Sequence, residues 1–282
     1  MTDHAGPLHT HHFILRRLHS LSGIVPIGVF LIGHLATNST VAWGGINTRA
    51  SAENWFDRGV QTFQHEVTFI NNLPLLLIIE ITLWVSIAFH SILGVWYATT
   101  TGRSNAGDYP YGGNIRYTLQ RLTGYFGIFF IFYHVATLRW GWTFLVPGQT
   151  QWSHEFASST LAACLQGGTE GVTGWGIAIS LFYFIGVTAL IFHFANGLWT
   201  AAITWGLTVS RQAQRRWGYV CLGLGVMLMV MGWASLVGFA TMDYERVRQL
   251  EEQSLQSQPH GTADHAGESV KTAAAEAEEI GG

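Results

Sequence analysis

Residues 175–206 read WGIAISLFYFIGVTALIFHFANGLWTAAITWG, thirty-two positions with no charged side chain and one histidine, His193. A bilayer core about 30 Å thick is crossed by roughly 20 apolar residues in a helix rising about 1.5 Å each. The stretch is therefore a membrane span with length to spare, which implies tilt or extension into the interface. Working outward, four more segments have this character: residues 18–40, 70–100, 117–146 and 217–242. The expected fold is an all-α integral membrane protein of five transmembrane helices, four of them forming a bundle.

Composition agrees. The chain has 282 residues, 49% hydrophobic and 13% aromatic, and its 11% charged share is about half that of an ordinary soluble domain. A net charge of −3 and the missing basic patch give no reason to expect a nucleic-acid partner; membrane lipid is the expected surrounding. Cys164 and Cys221 lack the spacing of a redox pair, a zinc site or a covalent haem attachment. The first seventeen residues are polar and end in Arg16-Arg17, so the first apolar run is expected to be a retained helix and not a cleaved signal.

Three regions follow: an N-terminal segment 1–17, a membrane domain 18–242, and a tail 243–282. The tail holds nine acids against Arg246, Arg248 and Lys271 and is expected to be disordered beyond its first turns. Stretches rich in Gly, Asn, Ser and Thr, Thr101 to Asn114 and Gly148 to Gly174, read as loops. Arg16, Arg17, Arg103, Arg116, Arg121, Arg211, Arg215 and Arg216 fall on one side; Arg49, Arg58 and Arg139 fall on the other with the acidic tail. By the positive-inside rule the N-terminus is cytoplasmic and the C-terminus lies outside.

Four of the thirteen histidines lie well inside spans, one in each of the first four: His34, His90, His134 and His193. One such residue would be a packing or hydrogen-bonding histidine; four, in positions where polar groups are costly, point to function. Local sequence sorts them into two kinds. His34-Leu35-Ala36-Thr37 resembles His134-Val135-Ala136-Thr137, and Phe89-His90-x-x-x-Gly94-Val95-Trp96 resembles Phe192-His193-x-x-x-Gly197-Leu198-Trp199. Depth gives the same sorting: about 24 and 26 Å from the cytoplasmic side for His34 and His134, but about 15 and 18 Å for His90 and His193.

Two imidazoles at matched depth on facing helices suit bis-His ligation of a b-type haem, which carries electrons and leaves no site for oxygen. The four would hold two haem b groups. Gly94 and Gly197 share a helical face with His90 and His193, where a missing side chain admits either a porphyrin or a neighbouring helix. A zinc ion would need all four nitrogens within about 2.1 Å of one point, which two depths disfavour.

These residues resemble a known family, the single-chain dihaem cytochrome b anchor of succinate dehydrogenase and fumarate reductase (succinate:quinone oxidoreductase). The resemblance runs through Arg16-Arg17-Leu18-His19-Ser20-Leu21-Ser22-Gly23 and Gly33-His34-Leu35, His90 with Gly94, Gln120-Arg121-Leu122-Thr123-Gly124 and His134, and Phe192 to Trp199 with Thr204-Trp205-Gly206. It implies five helices, with a flavoprotein and an iron–sulfur subunit docked on the cytoplasmic face. It also implies His90 and His193 on an inner haem, His34 and His134 on an outer one, and electrons passing to a quinone, menaquinone by resemblance. Related fumarate reductases carry a glutamate two residues before the fourth ligand; here that position is Ile191.

A quinone needs an apolar slot and groups able to move protons. Candidates toward the outer side are His65 and Glu66, at the expected start of helix two, and Glu80, whose carboxyl in hydrocarbon would be protonated or paired. Haem propionates attract cations, and Arg17, His19, Arg116 and Arg121 cluster at the cytoplasmic ends of helices one and three. Two other functions stand against the respiratory anchor of succinate dehydrogenase. One is a dihaem anchor of another dehydrogenase, told apart by its co-purifying subunits; the other is a haem-free scaffold, told apart by its lack of visible absorbance.

Overall fold

The structure, a computed structural model, describes residues 12–47, 50, 52–100, 107–109 and 112–256, and among these every regular element is helical. Arg49, Arg103, Lys271 and the tail from 257 lie outside the described residues.

The first apolar run is one path of two helices, α1 (His12–Ile24) and α2 (Pro26–Trp43). Pro26 has no N–H to give the turn before it and its ring presses on that turn, so the helix breaks at Val25. After α2 comes α3 (Trp55–Asn71), capped by Asn54, whose side chain accepts from the Asp57 amide. Asn72 ends α3, and α4 runs Leu76–Thr100. The second span thus begins at Leu76, not at 70, because Pro74 cannot continue the helix before it.

Helix α5 (Gly112–Leu138) stops earlier than the expected 146. Gly141, in a left-handed conformation at φ 69°, turns the chain, and the Trp142 amide folds back to Ala136. Then follow α6 (Ala157–Gln166), α7 (Gly174–Thr204), α8 (Arg211–Ala240) and α9 (Tyr244–Gln256). Thr173 and Ser210 cap α7 and α8 by accepting from Gly176 and Ala213.

Among the described residues four segments are long and apolar enough to cross a membrane: 13–46, α4, α7 and α8. Helix α5 is 27 residues long but carries Arg116 and Arg121 in its first half. Helix α7 packs against α8, α5 and α1, α2 against α8, and α1 against α4. Large apolar side chains point outward along these helices, among them Leu77, Ile92, Phe129 and Leu222, each more than 60% exposed. Such surfaces belong against lipid tails.

The tightest core lies at one end, where α3, α6 and α9 cap the bundle. Val60 and Phe63 of α3, Leu161 and Leu165 of α6 and Val247 of α9 pack with Phe130, Leu236 and Phe239. One expectation changes here. The segment 147–173 is not only a loop, since all ten residues of α6 are helical and buried. The first turns of the tail, residues 244–256, form a helix tied at two points. Arg246 Nη2 donates to Asp57 Oδ1 and Oδ2 at 2.9 and 3.1 Å, and the buried Glu251 accepts from the Ser158 and Ser159 amides that open α6. The cause is long-range partnering, which composition does not reveal.

Candidate functional site: two facing histidine pairs

The bundle brings His34 of α2 to His134 of α5, and His90 of α4 to His193 of α7. Ring centres are 5.7 Å apart in the first pair and 6.1 Å in the second, and in both the ring planes cross at 81°. An imidazole nitrogen binds a metal at about 2 Å, so two rings on opposite sides of one iron have centres roughly 6 Å apart. Among the described residues no three of His, Cys, Asp and Glu converge on one point; the four histidines meet two by two.

The His90–His193 pair lies toward the end that carries Arg17, Arg116, Arg121 and Arg211, and its two halves are built alike. His90 Nδ1 lies 2.9 Å from the carbonyl of His19, and His193 Nδ1 lies 3.0 Å from the carbonyl of Gln120. A hydroxyl stands beside each ring: Ser22 Oγ at 3.5 Å and Thr123 Oγ1 at 3.4 Å. A carbonyl can only accept, so each Nδ1 carries the proton and each Nε2 is left with its lone pair. This is the outer-shell bond that ordinarily orients a metal-binding imidazole.

Glycine supplies the room. A side chain on Gly23 would meet His90 Cε1 at 2.5 Å, and one on Gly124 would meet His193 Cε1 at 2.9 Å. The histidine comparison within the sequence missed these supports, although Leu21-Ser22-Gly23 and Leu122-Thr123-Gly124 repeat at the same interval of about a hundred residues as the histidines. Gly94 and Gly197 face other side chains, His19 Cε1 at 3.3 Å and Gln120 Nε2 at 3.5 Å from an added Cβ. They thus admit the neighbouring helix.

At the other pair, Phe30 and Phe130, each one turn before its histidine, stack on His34 and His134 with ring centres 5.3 and 6.0 Å away. Tyr183 meets the edge of His134 at 5.8 Å.

The cations cluster at the arginine-rich end. His19 stacks on His90 at 4.0 Å. Arg17 lies over Phe13 and Trp205, and Arg121 Nη2 donates to the Ala98 carbonyl. Among the described residues the buried Arg17 Nε and His19 Nδ1 find no protein partner. A buried guanidinium N–H in that state suits an anionic group. The donor set, ring spacing, glycine cradles and these orphaned atoms together fit a haem with its propionates toward the arginine-rich end.

The quinone candidates separate. Glu80, in the first turns of α4, makes a two-point ion pair with Arg139, Nε to Oε1 at 2.9 Å and Nη2 to Oε2 at 3.1 Å. Arg139, Trp140, Gln151 and His154 help line an open cleft of about 550 Å³ at the cap end. His65 and Glu66 lie on α3 instead of opening helix two; their side chains are 80% and 40% exposed, 3.9 Å apart.

Fold and site define a class: helical membrane proteins whose intramembrane histidines face each other across the bundle. Within it, the chain belongs to the family of succinate dehydrogenase cytochrome b subunits. It is 34% identical over 228 residues to the succinate dehydrogenase cytochrome b558 subunit of Bacillus subtilis (strain 168), an alignment covering 80% of this chain and 96% of that relative. No protein-family model matches the chain.

Proposed function

We propose that this membrane subunit holds two b haems, one between His90 and His193 and one between His34 and His134, and delivers electrons from succinate dehydrogenase to a membrane quinone. The observation that carries the reading is the pair of facing histidine couples, with ring centres 5.7 and 6.1 Å apart and both sets of planes crossed at 81°. When bound, two low-spin haems supply one-electron transfer across the thickness of the membrane.

The chain's own residues do the rest. The carbonyls of His19 and Gln120 hold the Nδ1 protons of His90 and His193 and so keep Nε2 available. Arg17, His19 and Arg121 offer donors to propionates. Helix α5 crosses as a fifth span, its arginines at the interface and its apolar second half among the others. With the arginine-rich end cytoplasmic, the His90–His193 pair is the inner one, facing a flavoprotein and an iron–sulfur subunit docked on that side in a bacterial inner membrane. The acceptor is a quinone, menaquinone by family resemblance, beside the outer pair. Glu80, ion-paired with Arg139, is the carboxyl group offered there for proton exchange. His65 and Glu66 remain a solvated pair.

The test is a reduced-minus-oxidised spectrum with haem quantitation on the purified complex, for the parent and for the His90→Ala and His134→Ala variants. Two b haems per chain are expected, with a different spectral component lost in each variant. Absence of haem, or a spectrum untouched by both substitutions, would overturn the proposal.

A further inference from the structure

We infer that Arg116, gripped by Asn196 and Trp199, is a fixed cation that raises the electrochemical potential of the inner pair. The inference rests on the dihaem reading.

Arg116 lies one turn before Gln120 on α5. Its Nε donates to Asn196 Oδ1 at 2.8 Å, and its guanidinium carbon sits 3.9 Å above the centre of the Trp199 ring. Asn196 Nδ2 donates to Gln120 Oε1 at 2.7 Å, and Gln120 Nε2 donates to the carbonyl of His193 at 3.1 Å. Because His193 Nδ1 donates in turn to the Gln120 carbonyl, the network closes on His193. Asn196 is 5% exposed. A buried amide inside a span is expensive, and the Gln120–His193 bonds already join α5 to α7. What Asn196 adds is a hold on a cation.

Among the described residues no carboxylate side chain forms an ion pair with Arg116. At the opposite end Arg139 is neutralised by Glu80 and Arg246 by Asp57, while Arg58 donates to backbone carbonyls. Nor does the His90 half repeat the device, since at the same sequence interval the counterparts of Arg116, Gln120 and Asn196 are Leu15, His19 and Leu93. Reduction removes one positive charge from an iron centre, so a fixed cation nearby favours the reduced state, the more strongly where water is excluded. The effect falls on the inner pair.

The experiment is a potentiometric titration of the spectrum in the purified complex, following the component lost in His90→Ala and the component lost in His134→Ala separately. For a unit charge acting in an effective dielectric of about 20, Arg116→Gln should lower the reduced-to-oxidised ratio of the inner component, by roughly severalfold to tenfold at fixed potential. The outer component should stay in place. Arg116→Lys should keep most of the parent midpoint, and Asn196→Leu, which frees the cation, should lower it part of the way. Inner midpoints unchanged in Arg116→Gln, or lowered equally in Arg116→Lys, would overturn the inference and leave Arg116 a packing residue. Should Arg116→Gln lose the inner haem, the titration of Asn196→Leu decides, an unchanged midpoint refuting the inference. A parent complex without haem would instead refute the dihaem reading.

Discussion

Replacing Glu251 by alanine should unfasten the cap. The Glu251 side chain is 2% exposed, and its carboxylate accepts from the Ser158 amide at 2.7 Å, the Ser159 amide at 3.3 Å and the Ser159 hydroxyl at 2.5 Å. These are the first turn of α6, whose amides have no partner within their own helix. With alanine, two buried N–H groups lose their acceptor at about 1–3 kcal/mol each. Part of that is returned because a carboxylate no longer has to be buried, which leaves a net local loss of roughly 2–4 kcal/mol. At 1.4 kcal/mol per tenfold, amide exchange across Ala157–Gln166 should accelerate about thirty- to a thousandfold. Hydrogen exchange read by mass spectrometry on the purified complex measures this directly, and exchange within threefold of the parent would refute the reasoning. Acidity adds a second reading. Burial pushes the Glu251 carboxyl above its ordinary value, against the opposing pull of the Ser159 and Ser158 bonds and of Arg248. A raised carboxyl stabilises the folded cap fully below the ordinary value near 4.5 and loses that contribution as pH rises through the folded value. Protection of α6, corrected for intrinsic exchange, should therefore fall over that interval in the parent, and in Glu251→Gln the dependence should vanish.

Gly23→Ala places a methyl 2.5 Å from His90 Cε1, so the inner spectral component should be lost or shifted while the outer one persists; an unchanged spectrum would mean the ring has room to move. Asp57→Asn should lower cap stability by no more than about 1 kcal/mol, because Arg246 is 53% exposed and solvent screens the pair; a thermal melt of the complex checks this, and a loss several times larger would contradict it. Glu80→Gln should slow quinone reduction with both haem components intact, measured as turnover with a soluble quinone beside the spectrum; parent-like turnover would remove Glu80 from the proton path.

Much of the membrane part was legible in the sequence, because lipid imposes its demand locally. A helix in hydrocarbon needs a long run of apolar residues, and residues 175–206 declare one at sight. A polar residue within such a run stands out, which is how His34, His90, His134 and His193 were singled out, and how matched motifs and depths sorted them into pairs. Helix α5 shows where that reading weakens, since Arg116 and Arg121 dilute its apolar character although it packs along α7.

What only the tertiary structure decided is where polar groups find partners far along the chain. Helix α6 is short and carries no long apolar run to announce it; its first amides are accepted by Glu251, some ninety residues on. Helix α9, polar by composition, is held by Arg246 on Asp57. Glu80 reads as a carboxyl stranded in hydrocarbon until the turn after α5 brings Arg139 to it. The supports of the His90–His193 pair are backbone carbonyls, which every residue possesses and no sequence marks; only the packing of α4 on α1 and of α7 on α5 aims those of His19 and Gln120 at a ring nitrogen. Hydropathy and spacing are properties of neighbours in the chain, so the sequence by itself determined the long apolar helices and the histidines within such runs. Satisfying a buried donor depends on neighbours in space, so the cap, the ion pairs and the orientation of each imidazole were decided by the fold.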